Sequence, residues 1–172
     1  MQVLRSSSSW STGVHQTEKS ILNCYISMIL SAERFIYIEN QFFISSVTKQ
    51  AKNNSVVRNR IVKALYKRIK QAIHQKQNFK VVVFIPLMPA FEANLEKEEG
   101  RVMQVQIGLE NHTIGIGPWS LLEKLKHLTD TPEEYIMFCS LRKFEEPPFP
   151  NATPKTNLIY IHSKVSGSLI VS

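Results

Sequence analysis

The stretch FIYIENQFF, residues 35–43, joins a run of large apolar side chains to three polar ones. An apolar run of this length, FIYIE, is typical of a buried β-strand. Glu39, Asn40 and Gln41 stand at its end, and ligands of open α/β sheets lie beyond the carboxyl ends of the strands. The stretch therefore predicts a central strand and a candidate binding site where that strand ends.

Three further strands and four helices are predicted around this strand. The predicted strands cover residues 35–39, 80–86, 134–141 and 157–162, and the predicted helices cover about 17–34, 55–77, 101–110 and 118–128. Thr17 is the expected N-cap of the first helix, and Pro118 the expected first residue of the last. Strands that alternate with helices indicate an α/β domain, with a layered, mostly buried sheet and helices on both faces.

The chain is basic, with 21 lysines and arginines against 14 acidic residues. This surplus favours a polyanion or an anionic membrane surface as partner. The predicted helix 55–77 is the most basic segment, and no acidic residue occurs between Glu39 and Glu92. Contact with anionic lipid is therefore predicted for Lys63, Lys67, Arg68 and Lys70. The alternative is a solvated helix face whose long side chains cover apolar surface.

Several classes of protein are disfavoured by the sequence. No apolar run reaches the roughly 18 residues of a membrane span, and the N-terminus has no run of signal-peptide length. Cys24 and Cys139 lack the paired spacing of a zinc site or a disulfide framework, so buried free thiols are expected. These features predict a cytoplasmic or peripheral membrane protein without a metal.

His162 and Lys164 are the second candidate site. On a strand they would share one face, because residues i and i+2 point the same way. An imidazole can attack phosphorus or protonate a leaving oxygen, and an ammonium stabilises charge on phosphate oxygens. A polar pair at a strand end is the plainer interpretation of an arbitrary H-x-K triplet. Tyr37 and its aromatic neighbours could likewise hold a quaternary ammonium group or belong to the core.

Five segments in the right order resemble the C-terminal catalytic half of eukaryotic phospholipase D. They are QVLRSSSSWSTG (2–13), IYIENQFF (36–43), VVVFIPLMPAFE (81–92), FCSLR (138–142) and IYIHSK (159–164). The last is similar to the opening of the second H-x-K-x-x-x-x-D motif of the family. The resemblance covers almost the whole chain, so residues 1–172 are expected to form a partial catalytic domain that ends within this motif.

The resemblance implies hydrolysis of phosphatidylcholine to phosphatidic acid and choline through a phosphohistidine, without a metal or other cofactor. It makes His162 the general acid and base and Lys164 a phosphate-binding cation. Support for the site is expected from Glu39, Asn40, Gln41 and Tyr37. The implied partners are a phospholipid membrane, anionic phosphoinositides and the N-terminal catalytic half of the same parent chain, and no nucleic acid.

The sequence departs from the family pattern after Lys164. Counting from His162 places Leu169 where the family has an aspartate. The family takes its nucleophilic histidine from a first motif in the other half, so we expect the isolated chain to be inactive. A non-catalytic lipid-binding fragment, or a related phosphodiesterase that pairs two chains, are the alternatives.

Overall fold

The computed structural model describes residues 3–46, 57–88, 97–145, 149 and 155–169. The helices are α1 (Ser9–Thr12), α2 (Ser20–Ser31), α3 (Ile61–His74), α4 (Arg101–Ile114) and α5 (Leu121–Lys126). The strands are β1 (Ser6–Ser7), β2 (Glu18–Lys19), β3 (Phe35–Asn40), β4 (Lys80–Phe84), β5 (Ile136–Cys139), β6 (Arg142–Glu145), β7 (Lys155–Leu158) and β8 (Lys164–Leu169). The α/β class predicted from the sequence is confirmed.

A four-stranded sheet with the order β5-β4-β3-β8 forms the centre of the molecule. The strands β3, β4 and β5 are parallel, whereas β8 pairs antiparallel with β3. Two small antiparallel pairs, β1–β2 and β6–β7, lie outside this sheet. The carboxyl ends of β3, β4 and β5 and the amino end of β8 therefore share one edge, which we call the carboxyl edge.

The hydrophobic core lies between one face of this sheet and the helices. Alternate strand residues point into it, among them Ile36, Ile38, Val81, Val83 and Ile136, all at most 2% exposed. They join buried residues of α2, α3 and α5 in one cluster. Full burial of such a side chain contributes about 1.5–3 kcal/mol. In the described part of the chain, α2, α3 and α5 therefore form a helical layer on this face.

The second face of the sheet is more open to solvent. Tyr37, Val82 and Phe84 are half-buried there, while Met137 and Val165 are exposed. The alternation of buried and half-exposed residues along β3 and β4 has the period of two that a sheet covered on one side produces.

Arg68 is buried in the structure, although the sequence predicted it as a lipid contact. Its guanidinium donates hydrogen bonds to the carbonyl oxygens of Ala32 (2.5 Å) and Glu33 (3.0 Å) and stacks 3.9 Å from the centre of the Phe79 ring. Only 3% of the residue is exposed. Arg68 therefore fastens α3 to the connection between α2 and β3, and the prediction of lipid contact was wrong for this residue.

Three predicted helices begin later than expected. Thr17 is not an N-cap, because Glu18 and Lys19 pair with β1 before α2 begins. The helix predicted over 55–77 covers Ile61–His74, while residues 55 and 56 lie outside the described ranges. The N-cap of α5 is Ser120 rather than a residue before Pro118.

The predicted strand 157–162 was wrong. Residues 155–158 form β7 and pair with β6, and the fourth strand of the sheet is Lys164–Leu169. Its Ser166, Gly167 and Ser168 have low strand propensity. Packing overrides that propensity, since Ser166 and Ser168 lie against Tyr25 and Ile29 of α2. Among the described residues, no helix is long and apolar enough to cross a membrane.

Candidate active site

The carboxyl edge brings together the two polar segments singled out in the sequence. The last residue of β3, Asn40, is paired with the first residue of β8, Lys164. Since β8 is antiparallel to β3, the residues just before it reach the same edge as those that follow β3. Glu39 and Gln41 therefore meet Ser163 and Lys164 across more than 120 residues of sequence.

Glu39 is held between two hydroxyl groups. The Tyr37 hydroxyl donates to Glu39 Oε2 at 2.5 Å, and the Ser163 hydroxyl donates to Glu39 Oε1. These hydrogen bonds, first that of Ser163 and then that of Tyr37, lower the pKa of the Glu39 carboxyl. The pKa of Tyr37 is raised, mainly because its hydroxyl proton is shared with the carboxylate. Glu39 thus remains ionised and fixes the residue between His162 and Lys164.

Lys164 is oriented by two acceptors. Its Nζ donates to Gln41 Oε1 (2.8 Å) and to the His162 carbonyl oxygen (2.6 Å). Gln41 Nε2 in turn donates to the Tyr160 hydroxyl at 2.6 Å. An ammonium group has three N–H donors. One donor of Lys164 is thus left for a ligand at the exposed surface.

His162 lies in the connection that precedes β8, not on a strand as predicted. Its side chain is exposed, while the neighbouring Ile161 is 3% exposed and anchors the connection in the interior. The His162 ring lies 6.0 Å from the Tyr160 ring, centre to centre. The imidazole and the Lys164 ammonium both face solvent at the carboxyl edge, where a ligand can reach them.

Buried polar groups hold the loop that follows β3. The Phe43 amide donates to Glu110 Oε1 (2.7 Å), and the Ser45 amide donates to Thr113 Oγ1 (3.2 Å). Both acceptors belong to α4 and both residues are buried. Burial raises the pKa of the Glu110 carboxyl, partly offset by its bond to Phe43. These hydrogen bonds fix the backbone at Phe43 and Ser45, shortly after Gln41.

Asn40 makes a local hydrogen bond, and Phe43, an aromatic neighbour of Tyr37 in the sequence, belongs to the core. Asn40 Nδ2 donates to the Phe42 carbonyl at 3.5 Å. Phe43 is 4% exposed and packs edge-on against Phe138, 5.3 Å between ring centres. Phe43 is therefore a core residue rather than a surface for a quaternary ammonium group.

Three of the four predicted lipid contacts remain on the surface of α3. Lys63, Lys67 and Lys70 follow a spacing of four and three residues, which places them on one helix face. Lys67 and Lys70 are exposed, and Lys63 is half-buried. A second H-x-K triplet, His74-Gln75-Lys76, ends the same helix near the amino end of β4. This triplet lies at the amino ends of the parallel strands, away from the carboxyl edge. It therefore cannot supply a second histidine to the site formed by His162 and Lys164.

Sequence reasoning missed Ser163, Tyr160 and Glu110. Ser163 and Tyr160 stand inside the IYIHSK segment, so their position beside the motif was a signal. Glu110 gave no such signal, because its contact with Phe43 spans 67 residues.

The arrangement suits an anionic phosphate ester. It offers one oriented ammonium and one exposed imidazole, with an ionised carboxylate that fixes the residue between them. Among the residues that the structure describes, no group of three or more metal-ligating side chains occurs.

The sequence of the chain is similar to those of known proteins. The family model described as "Phospholipase D" matches residues 3–166. Over 165 residues the chain is 43% identical to a phospholipase D of Phytophthora infestans, with 96% of this chain and 9% of the relative covered. Identity is 40% over 164 residues to phospholipase D1 of Saccharomyces cerevisiae, covering 95% and 10%. For human phospholipase D1 it is 37% over 166 residues, covering 96% and 15%. The chain thus spans only 9–15% of the length of these relatives.

Proposed function

We propose a specific reaction for this chain. The premise is that the chain belongs to the phospholipase D family of hydrolases of lipid metabolism. The proposed reaction is cleavage of phosphatidylcholine to phosphatidic acid and choline, to which this chain contributes one half of the active site. The observation that carries the proposal is that the segment containing His162 and Lys164 meets the end of β3 at the carboxyl edge, through the Ser163–Glu39 and Lys164–Gln41 hydrogen bonds.

In the proposed first step, a histidine from the other catalytic half attacks phosphorus, and the bond to the choline oxygen breaks. His162, as the imidazolium, gives its proton to that oxygen. In the second step, neutral His162 takes a proton from water as the water attacks the phosphohistidine. The P–N bond breaks, and phosphatidic acid is released. A single positioned acid and base of this kind typically contributes about 10²–10⁴-fold in rate.

Lys164 is proposed to bind the non-bridging phosphate oxygens, where negative charge grows in the transition state. Two of its donors are held by Gln41 and the His162 carbonyl, so the ammonium is oriented before the phosphate arrives. Glu39 supports the site through Ser163, and Tyr37 supports Glu39. In the proposed mechanism, Glu39 and Tyr37 do not transfer protons.

The proposed partners are a phospholipid membrane, which also carries the substrate, and the missing catalytic half of the parent chain. The chain is proposed to act at the cytoplasmic side of a membrane as a peripheral protein. Its formal charge of +7 and the lysines on the outer face of α3 support attraction to anionic lipids, phosphoinositides included.

A chimera tests the proposed reaction. Residues 3–166 would replace the aligned segment of yeast phospholipase D1, and choline release from phosphatidylcholine vesicles would be measured. We expect H162N to lower kcat/KM by about 10²–10⁴-fold. H127N, which removes an exposed histidine after α5, is the matched control and should leave the activity unchanged.

The leaving group distinguishes an acid from a merely structural histidine. A substrate with p-nitrophenol in place of choline needs little protonation of the departing oxygen. H162N should therefore lose less activity on this substrate than on phosphatidylcholine. Equal losses on both substrates would contradict the assignment of His162 as the general acid, and full activity of H162N would contradict the whole site.

A further inference from the structure

The hairpin formed by β6 and β7 stands outside the central sheet. Its pairing runs from Arg142 opposite Leu158 to Glu145 opposite Lys155. Phe144 is 62% exposed and Leu158 is 43% exposed. A two-stranded hairpin without a covering layer is at best marginally stable in water. Its exposed apolar side chains therefore mark it as a surface that gains stability from a partner.

One face of the hairpin combines apolar and cationic character. Directly opposed residues share a face, as do residues two apart on one strand. Arg142, Phe144, Thr156 and Leu158 consequently lie on one face, which we call the hairpin face. Each of them is exposed. The opposite face carries Lys143, whose Nζ lies 3.4 Å from a carboxylate oxygen of Glu145.

The hairpin is joined at both ends to the candidate active site. At one end, β6 begins three residues after Cys139, the last residue of β5 at the carboxyl edge. At the other end, the chain continues through the buried Ile161 into His162. The Ile159 amide donates to the Leu141 carbonyl at 3.0 Å and closes the base of the hairpin. Leu158 of the hairpin face is therefore four residues from His162 along a chain that is anchored between them by Ile161.

Charge at the carboxyl edge favours an anionic surface. Arg58 and Arg60, just before α3, are exposed near this edge, as is Arg142. Two described carboxylates near this edge are engaged in hydrogen bonds, Glu39 with two hydroxyls and Glu110 with the Phe43 amide. Exposed cations of this kind attract anionic lipid headgroups.

We propose that the hairpin face docks on a phospholipid bilayer that contains anionic lipid. Phe144 and Leu158 enter the interfacial region, and Arg142 contacts headgroup phosphates. The docked hairpin holds His162 and Lys164 at the level of the headgroups. This inference rests on the proposed function, because a lipid substrate has to be reached within a bilayer.

Vesicle sedimentation tests the docking without any turnover. The 172-residue chain would be mixed with vesicles of phosphatidylcholine containing 30% phosphatidylserine by design, and the bound fraction measured at physiological salt. We expect the double variant F144S/L158S to weaken binding by roughly tenfold or more. R142Q should weaken it by roughly fivefold, since one cation near the surface is lost.

Two control variants match these changes at other places. L30S replaces a leucine of similar exposure, 45%, at the opposite edge of the sheet. K70Q removes an exposed cation from α3. Binding of L30S should equal that of the parent chain, and K70Q should lose less than R142Q. Thermal unfolding of every variant confirms that the fold is retained.

Two results would overturn the inference. The first is no binding by the parent chain, and the second is equal binding by the parent chain and F144S/L158S. If, in the second case, sedimentation velocity shows that F144S/L158S abolishes self-association, the hairpin face is a contact between copies. A different result would contradict only the proposed reaction. This result is that the chimera without substitutions releases no choline, while the 172-residue chain binds vesicles and F144S/L158S does not.

Discussion

Replacement of Glu110 tests how the loop beside the site is held. The Glu110 carboxylate is the buried acceptor for the Phe43 amide, at 2.7 Å. In E110A that amide would be left buried without an acceptor, which costs about 1–3 kcal/mol. A loss of about 2 kcal/mol would lower the Tm of a chain of this length by about 4–8 °C. E110Q keeps a carbonyl oxygen at the same place and should cost far less.

The pH dependence separates the charge of Glu110 from its hydrogen bond. Burial raises the pKa of its carboxyl above the ordinary value of 4.5. The folded state therefore binds more protons than the unfolded state between these two pKa values, so stability falls as the pH rises through that range. E110Q has no such proton to lose. Its stability relative to the parent chain should rise from pH 4 to pH 7.5.

Urea unfolding followed by circular dichroism would measure both effects, and hydrogen exchange of the Phe43 amide would locate them. We expect faster exchange in E110A and near-normal exchange in E110Q. Equal destabilisation by the two variants at every pH would refute the reasoning, because the effect would then come from packing rather than from the acceptor. An E110A chain as stable as its parent would refute it as well.

Three further predictions concern stability and solubility. R68M should lower the free energy of unfolding by about 2–4 kcal/mol, because two carbonyl groups lose a charged donor; a change below about 0.5 kcal/mol in urea unfolding would contradict this. The pKa of Tyr25 is raised to about 12 by burial, so stability should fall as the pH rises above 10, and Y25F should remove the last step of a spectrophotometric tyrosine titration. M137K/V165K should reduce aggregation in light scattering, since both residues are exposed apolar groups on the open face of the sheet; equal aggregation would show that this face is not responsible.

Local sequence patterns were sufficient for the elements whose side chains follow one periodicity. The strands β3 and β4 are continuous apolar runs, and α3 has its apolar residues at helical spacing, so all three were found near their true positions. The strand β8 could not be found in this way. Its Ser-Gly-Ser stretch has low strand propensity and becomes a strand because β3 offers an unpaired edge and α2 a surface.

The candidate site was predictable in its composition and not in its connections. Sequence motifs identified Glu39, Gln41, His162 and Lys164, and Glu39 and Gln41 were expected at the carboxyl end of a strand, where ligands of α/β sheets lie. The bonds of Glu39 to Ser163 and of Gln41 to Lys164 depend on the register of an antiparallel strand. Nor did the basic pattern of α3 reveal that Arg68 turns inward, because one residue among many cations carries no distinguishing local signal.

The position of Lys164 at the start of an edge strand couples the site to fraying of the sheet. Only β3 pairs with β8 in the described sheet, and Gly167 contributes no side chain to hold it. Local unfolding of such an element needs less free energy than global unfolding. Whenever β8 detaches, the Lys164 ammonium leaves Gln41, so a ligand of the proposed site would meet both groups in place only while β8 is paired with β3. The apparent affinity for that ligand would be reduced by the paired fraction. The binding strength of the proposed site would consequently depend in part on the pairing energy of the six residues of β8.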